Sequence, residues 1–378
     1  MAGLDIRKWS WRIAIILAIA VVGYFILNMQ TGPESIRPAV GQVTDPLLLP
    51  TIEKYADEVD ADKGDPEPRM HLGMTYEAAT LHALAEATYQ QYVDLFPKRV
   101  IGWYRLAVVQ ERRGNLEKAI QSLKEAATLA GSRMDAPHWQ LGLWLIDAGR
   151  IEEAKKSLQI ASSIKPNSMP LQIAKARIAI EEQEPGVAID ILNNSDLIRR
   201  VPDGYVYQLL GRAYRAAGNV DKAREAWGRA GKSKPRWGDP WTKNVMGHAV
   251  SLMAMRQEII QLVNEGKIPD ARKLIDEYFS YEPENRVVRR LDAMCDSKQG
   301  MVGKAIQKLM LLIKEDSNDA VSMLLLAKTR LGTPKLRTEQ GLAVTKNILE
   351  AVIGIDPTNE QAKILLDGIG TIQSSKDE

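Results

Sequence analysis

Apolar residues recur along this chain at helical spacing in short runs, and each run is cut by a glycine. The clearest run is Tyr207, Leu210, Gly211 and Tyr214, an i, i+3, i+4, i+7 stripe that predicts a helix with one buried face. Gly218 then ends that helix, because a C-terminal cap commonly needs the left-handed backbone that glycine adopts cheaply. Asn219 reads as the N-cap of a second helix, with Asp221 in its first turn, where the helix dipole favours an anion. That second helix carries Ala223, Trp227 and Ala230 on one face and stops before Pro235, which lacks the next backbone donor. The same grammar repeats. A glycine precedes an alanine by five positions at Gly114/Ala119, Gly149/Ala154, Gly218/Ala223, Gly266/Ala271 and Gly300/Ala305, and a proline follows at a constant offset from Ala85, Ala154, Ala223 and Ala271. The period is about 34 residues, that of stacked helical hairpins. One hairpin cannot bury both of its faces, so each must lean on its neighbours.

With these residues in place, the chain resembles the tetratricopeptide repeat family. Leu72, Gly73, Tyr76, Ala85, Tyr89 and Pro97 fit a first copy; Trp103, Leu106, Ala119, Leu123 and Ala126 a second; Leu141, Gly142, Ala154, Leu158, Ala161 and Pro166 a third. A weaker fourth copy rests on Ala188 and Leu192, and residues 204–237 form the fifth. Copies six to eight, within 252–359, keep the glycine and alanine marks but lose much of the first-helix signature. The fold class expected is all-α: a solenoid of about eight tetratricopeptide hairpins, some degenerate, preceded by one transmembrane helix. The resemblance implies a scaffold or adaptor that binds protein or peptide partners on a groove lined by first helices.

The expected membrane helix lies at the start. Residues 13–27 contain no charged residue and, with the flanking Trp9, Trp11 and Met29, approach the roughly 20 residues that span a bilayer. Arg7, Lys8 and Arg12 precede the apolar run, which orients the N-terminus to the cytoplasm and the repeats outward. Arg12 can snorkel to the headgroups beside Trp9 and Trp11. The anchor is thus read from Trp9, Trp11 and Arg12 through Ile13 to Leu27. Cleavage as a signal peptide is the other reading, although Asn28, Met29 and Gln30 stand where small residues would mark the cut. The resulting division is a cytoplasmic stub and anchor at 1–29, a proline-rich acidic linker at 30–65, five hairpins at 66–237, an insertion extending a helix at 238–251, three degenerate hairpins at 252–359, and a capping helix with tail at 360–378. The linker reads as a tether with one short helix after Pro50, in which Leu47, Leu48 and Leu49 are expected to pack locally.

Composition changes little in this picture. At 45% hydrophobic and 26% charged residues, with a net charge of +2, the chain reads as ordinary globular protein. Its single cysteine, Cys295, cannot form an internal disulfide and reads as a small core residue. His71, His82, His138 and His248 are scattered without metal-binding spacing, and no phosphate loop or nucleophile elbow occurs. No cofactor, metal or catalytic activity is therefore expected, with a subunit of an envelope enzyme complex as the alternative. Ser162-x-x-Lys165 lacks companion motifs, and Trp103, Trp139, Trp144 and Trp227 sit at or near core-filling positions.

Two stretches exceed scaffolding. Residues 199–243 are rich in arginine and lysine, and Arg212 and Arg215 fall three apart on the fifth first helix, with Gln208 one turn earlier. These three residues are the candidate groove positions, suited to an acidic partner through bidentate guanidinium contacts; the alternative is a solvated charged face. Nucleic acid is disfavoured, because stacking aromatics are not interleaved with the arginines. From Asp239-Pro240, the residues Trp241, Val245, Ala249, Leu252, Arg256, Ile259 and Val263 continue helical spacing to Gly266 and predict one long helix. It either offers methionines to a partner or caps a break in the solenoid. The whole reads as an inner-membrane protein of a bacterial envelope with periplasmic repeats, acting in assembly, secretion or protein maturation.

Overall fold

Helix after helix closes on the residue that the repeat assigns to it. The structure, a computed structural model, describes residues 32–193, 204–230 and 239–374. The expected anchor from Trp9 to Leu27 lies outside these residues, as do Arg199, Arg200, Pro235 and Arg236. Among the described residues no helix is long and apolar enough to cross a membrane. They form nineteen α-helices and one short 3₁₀ turn, divided into two compact units that meet in sequence at Val250 and Ser251.

The first unit opens with α1 (Leu48–Ala61), followed by five hairpins: α2 (Pro66–Ala78) with α3 (His82–Leu95), α4 (Val100–Arg112) with α5 (Leu116–Ala130), α6 (Ala136–Asp147) with α7 (Ile151–Ile164), α8 (Met169–Glu181) with α9 (Pro185–Leu192), and α10 (Tyr205–Ala216) with α11 (Val220–Gly228). A six-residue helix, α12 (Thr242–Gly247), completes it. The second unit holds α13 (Leu252–Glu265) with α14 (Ile268–Tyr281), α15 (Arg286–Lys298) with α16 (Val302–Glu315), and α17 (Ala320–Leu331) with α18 (Glu339–Ile355), then α19 (Glu360–Ser374).

The repeat positions have a direct steric meaning. An added Cβ at Gly73 would lie 2.4 Å from the Tyr89 ring, and one at Gly211 would lie 2.2 Å from the Trp227 indole. Glycine there is what lets the second helix press its aromatic residue onto the first. Ala85, Ala119, Ala154, Ala188 and Ala223 are all buried on the opposing helix. Gly114, Gly149, Gly218, Gly266 and Gly300 turn the chain with φ between 73° and 80°, as the capping argument requires. In the first and fourth hairpins that same place is taken by Thr80 (φ 60°) and Gln183 (φ 61°). The turn geometry is therefore kept by stacking even where the residue resists it.

In the second unit, ion pairs tie successive elements. Arg272 of α14 reaches Asp292 and Asp296 of α15, and Lys308 of α16 meets the same two carboxylates at 2.6 Å. Arg286 and Arg290 converge on Asp319 at 2.6 and 2.7 Å, with the Ser322 hydroxyl donating at 2.6 Å. Burial pushes Asp319 up, but the hydrogen bonds from Arg290, Ser322 and Arg286 prevail and hold it well below the usual carboxylate range. Cys295 is fully buried, and burial raises its thiol pKa.

Two sequence expectations change. The segment before the repeats is no free tether: from Pro33 it runs along the first hairpin. The carbonyl of Pro33 accepts from Arg69 (3.0 Å), that of Ile36 from the Tyr76 hydroxyl (2.6 Å) and that of Glu34 from Gln91 (3.1 Å). Arg37 bridges Asp57 and Asp60, and the acidic run then becomes α1, with Leu48 buried against the first hairpin. The short helix expected after Pro50 is α1, and its two faces explain the acidic composition: Ile52, Ala56 and Val59 are buried, and the acids take the other positions. The long helix expected from Pro240 to Gly266 is likewise two helices. Gly247 ends α12, and Ser251 caps α13 by accepting from the Ala254 amide at 3.0 Å. A serine N-cap preceded by glycine outweighs continuous apolar spacing.

Candidate protein-binding face

First helices of neighbouring hairpins meet along one face of the first unit, and arginine–carboxylate pairs join them. Arg177 of α8 pairs with Asp147 of α6, and Arg212 of α10 with Glu181 of α8 at 2.9 Å. Both arginines directly follow the tightly packed small residue of their helix, Ala176 and Gly211. They stand about 100° round the helix from it and reach the preceding first helix.

Arg212 and Arg215 are both exposed, and Gln208, one turn earlier, is half-buried. Trp227, expected in the core, keeps 41% of its surface exposed; its edge covers Gly211 and the rest meets solvent. Trp139 and Trp144 are buried as expected. Among the described residues of the basic band, several charges are spent on local partners: Arg224 with Asp221 and Arg229 with Glu225, all well exposed.

A different part of the face carries a denser constellation, one that net charge did not flag. On α4, Arg105 has a side chain only 2% exposed. Its Nε donates to Glu77 Oε2 at 2.9 Å, a second nitrogen pairs with Glu77 Oε1, and Nη1 reaches Asp239 Oδ2 at 2.9 Å. Glu77 on α2 is itself fully buried and also accepts from Arg112 Nη1 at 2.8 Å and from the Tyr89 hydroxyl at 3.0 Å. Burial opposes the Arg105 charge, but Glu77, Tyr89 and Asp239 more than offset it, so the pKa stands above the ordinary arginine value. The four charges balance: two guanidinium groups face two carboxylates.

Asp239 comes from 134 residues further along the chain and is the first anchor of a segment laid on this face. Its other oxygen accepts from the Trp241 amide at 2.8 Å, and its own amide donates to the Thr242 hydroxyl at 3.1 Å. Trp241 packs against Tyr104 of α4 at a tilt, ring centroids 4.9 Å apart and planes 53° apart. Val245 is buried with the core of α1 and α2. His248 then sits over His71 of α2 and Tyr55 of α1, with centroids 5.0 and 5.9 Å away. Between these anchors, Lys243, Asn244, Met246 and Gly247 remain exposed. Burial, and then the neighbouring His248, lower the pKa of His71 against the opposing pull of Glu67, Glu58 and Asp65. The sequence did contain a signal here, the Asp-Pro-Trp triplet. It was read only as a helix start because nothing in one dimension joins Asp239 to Arg105.

Comparison with known proteins fixes the class. Residues 71–133 and 205–235 match tetratricopeptide repeat family profiles, which are the first two hairpins and the fifth. These two stretches are tetratricopeptide repeats, a module of protein–protein interaction. No curated protein sequence matches closely enough to count as a relative. Among solved structures, YrrB, described as a TPR protein with an unusual peptide-binding site, is similar at 16% identity and a TM-score of 0.40, over 47% of this chain and 91% of that one. The pilF protein of Pseudomonas aeruginosa is similar at 14% identity and a TM-score of 0.36, over 60% and 96%. MamA of Desulfovibrio magneticus RS-1 gives 19% identity and a TM-score of 0.30, over 50% and 97%. At these values the likeness is one of helical-hairpin architecture alone.

Proposed function

We propose that this chain is a membrane-anchored scaffold that acts by binding and not by catalysis, holding an acidic partner protein against its first-helix face in a bacterial envelope. The observation that carries the partner reading is the exposure of Arg212 and Arg215 on α10, the first helix of the fifth hairpin. An exposed guanidinium pair on a stacked face can meet carboxylates bidentately without first being desolvated. The uncharged stretch from Ile13 to Leu27, with Arg7, Lys8 and Arg12 before it, supports an anchor with the N-terminus in the cytoplasm and the repeats in the periplasm.

The test is affinity purification from native membranes with the wild-type chain and with Arg212→Glu/Arg215→Glu. The double change barely alters helix propensity, so thermal stability should stay nearly constant while the local field reverses. Loss of a co-purifying protein from the double variant, together with salt-sensitive capture by the wild type, is the expected result, since exposed charges are screened over about 10 Å at 0.1 M salt. Recovery of the same proteins at the same salt tolerance would reject the role of this pair. For topology, a C-terminal alkaline phosphatase fusion should be active and a green fluorescent fusion dark; the reverse would reject the localisation.

A further inference from the structure

We propose that the face formed by α1, α2 and α4 is a second, more selective recognition site, whose ligand is a peptide carrying a carboxylate two residues before a tryptophan and an aliphatic residue four after it. In this chain the segment 239–250 occupies that site in cis, so a partner with the same spacing competes with it. The inference rests on the reading that first-helix faces of this protein bind peptides, and it assigns a location and a ligand chemistry that the basic pair on α10 does not.

Charge balance sets the first requirement. With Asp239 withdrawn, Arg105 and Arg112 share the single carboxylate of Glu77, and the site carries an excess positive charge in a poorly hydrated place. Whatever replaces the segment must bring an anion to Arg105 Nη1, where Asp239 Oδ2 now stands at 2.9 Å. Tyr104 sets the second requirement: its ring meets Trp241 at a tilt of 53° with centroids 4.9 Å apart, an aromatic pairing that an aliphatic residue would not reproduce. The pocket for Val245 sets the third, since that side chain joins the buried cluster of Ile52, Ala56 and Met70.

The segment has the physical character of a bound ligand. Its helix is six residues long, far too short to persist on its own in water. Its order comes instead from a few anchors at residues 239, 241, 245 and 248, separated by exposed positions. Side-chain anchors alternating with solvent-facing residues are how grooves hold peptides. The hairpins beneath have packing contacts of their own. Gly73 packs on Tyr89, and Leu72, Tyr76, Leu106 and Val109 are buried among the helices of the hairpins themselves. In the repeat register Arg105 corresponds to the buried Leu209 of α10, so α10 carries no sealed arginine, and its exposed Arg212 stands three positions further along.

The test uses the full chain and a fluorescein-labelled synthetic peptide of residues 239–250. In the variant Asp239→Ala/Trp241→Ala the cis segment loses two anchors, so the peptide should bind about tenfold or more tightly than it does to the wild type, because a site closed most of the time weakens apparent affinity by the open fraction. Peptides carrying Asp239→Asn or Trp241→Ala should lose that gain. If the variant keeps its helical circular dichroism and binds the peptide no better than the wild type, or binds the substituted peptides equally well, the proposal is overturned. Hydrogen exchange on the unsubstituted chain decides the matter if the variant unfolds. Amides of Val245 to Val250 exchanging through a local opening, while those of α2 and α4 stay protected, support a displaceable segment; exchange only together with α2 and α4 makes it a fixed part of the core and overturns the site. Capture of a partner through Arg212 and Arg215 does not enter either readout, so failure here leaves that reading standing.

Discussion

The second and fifth hairpins each carry an arginine on the first helix that pairs with a carboxylate of the preceding first helix, yet the two arginines live in different electrostatic worlds. Arg105 is sealed under the 239–250 segment, locked to Glu77 and Asp239, and close to invisible to solvent. Arg212 holds Glu181 at 2.9 Å with about half of each side chain in water. Local charge density does not tell them apart, since basic residues outnumber acidic ones around both. At the second, two carboxylates meet one guanidinium, and one of them, Glu77, also accepts from the Tyr89 hydroxyl and from Arg112. A site is built where desolvation makes each partner necessary.

The comparison breaks most readily at the carboxylates. Glu77→Ala leaves Arg105 short of its main counter-charge inside the fold and should cost about 3–5 kcal/mol. Glu181→Ala removes an exposed partner and should cost below about 1 kcal/mol. Chemical denaturation of the two variants measures both, and equal costs would mean that the Arg105 cluster is as wet as the Arg212 pair.

Protonation sharpens the contrast next. The lowered pKa of His71 arises from burial and from His248, so the docked state favours the neutral ring. This contribution is fully present above the ordinary histidine value of about 6.5 and is lost as pH falls through the lowered value of the docked state. The segment 239–250 should therefore loosen from α1 and α2 in mild acid, read as faster hydrogen exchange at Val245 and His248, while α10 and α11, which contain no histidine, exchange without that extra acid-driven opening. His71→Gln should abolish the pH dependence.

How much of this was legible in one dimension follows from what repeats and what does not. Gly218, Asn219 and Ala223 carry their turn, cap and packing roles in their own immediate neighbourhood, so the hairpins could be laid out from residue types and spacing. The boundary at Gly247 to Ser251 was missed because an N-cap serine inside continuous apolar spacing looks like one more polar residue of a helix. The short helix after Pro50 is present as α1, but the docking of the preceding segment on the first hairpin was out of reach, because it rests on backbone carbonyls of Pro33, Glu34 and Ile36 that meet Arg69, Gln91 and Tyr76. The Arg105 cluster was beyond reach for a different reason: its key contact spans 134 residues, and the masking of Arg105 from solvent is a property of the assembled unit.

A smaller effect concerns the turns. Thr80 holds a left-handed backbone at φ 60° where other hairpins use glycine. Thr80→Gly should raise stability by about 0.5–1 kcal/mol, the strain relieved being partly returned as chain entropy in the unfolded state. No gain in the denaturation midpoint would show that this turn bears no strain.

The central claim is that residues 239–250 lie on the face of the first two hairpins, and a double-mutant cycle between Arg105→Ala and Asp239→Ala tests it most directly. Residues so far apart in sequence couple only if they touch in the fold. The account predicts an interaction energy of about 1–3 kcal/mol from denaturation of the two single variants and the double variant. Additive single effects, with a coupling indistinguishable from zero, would contradict it.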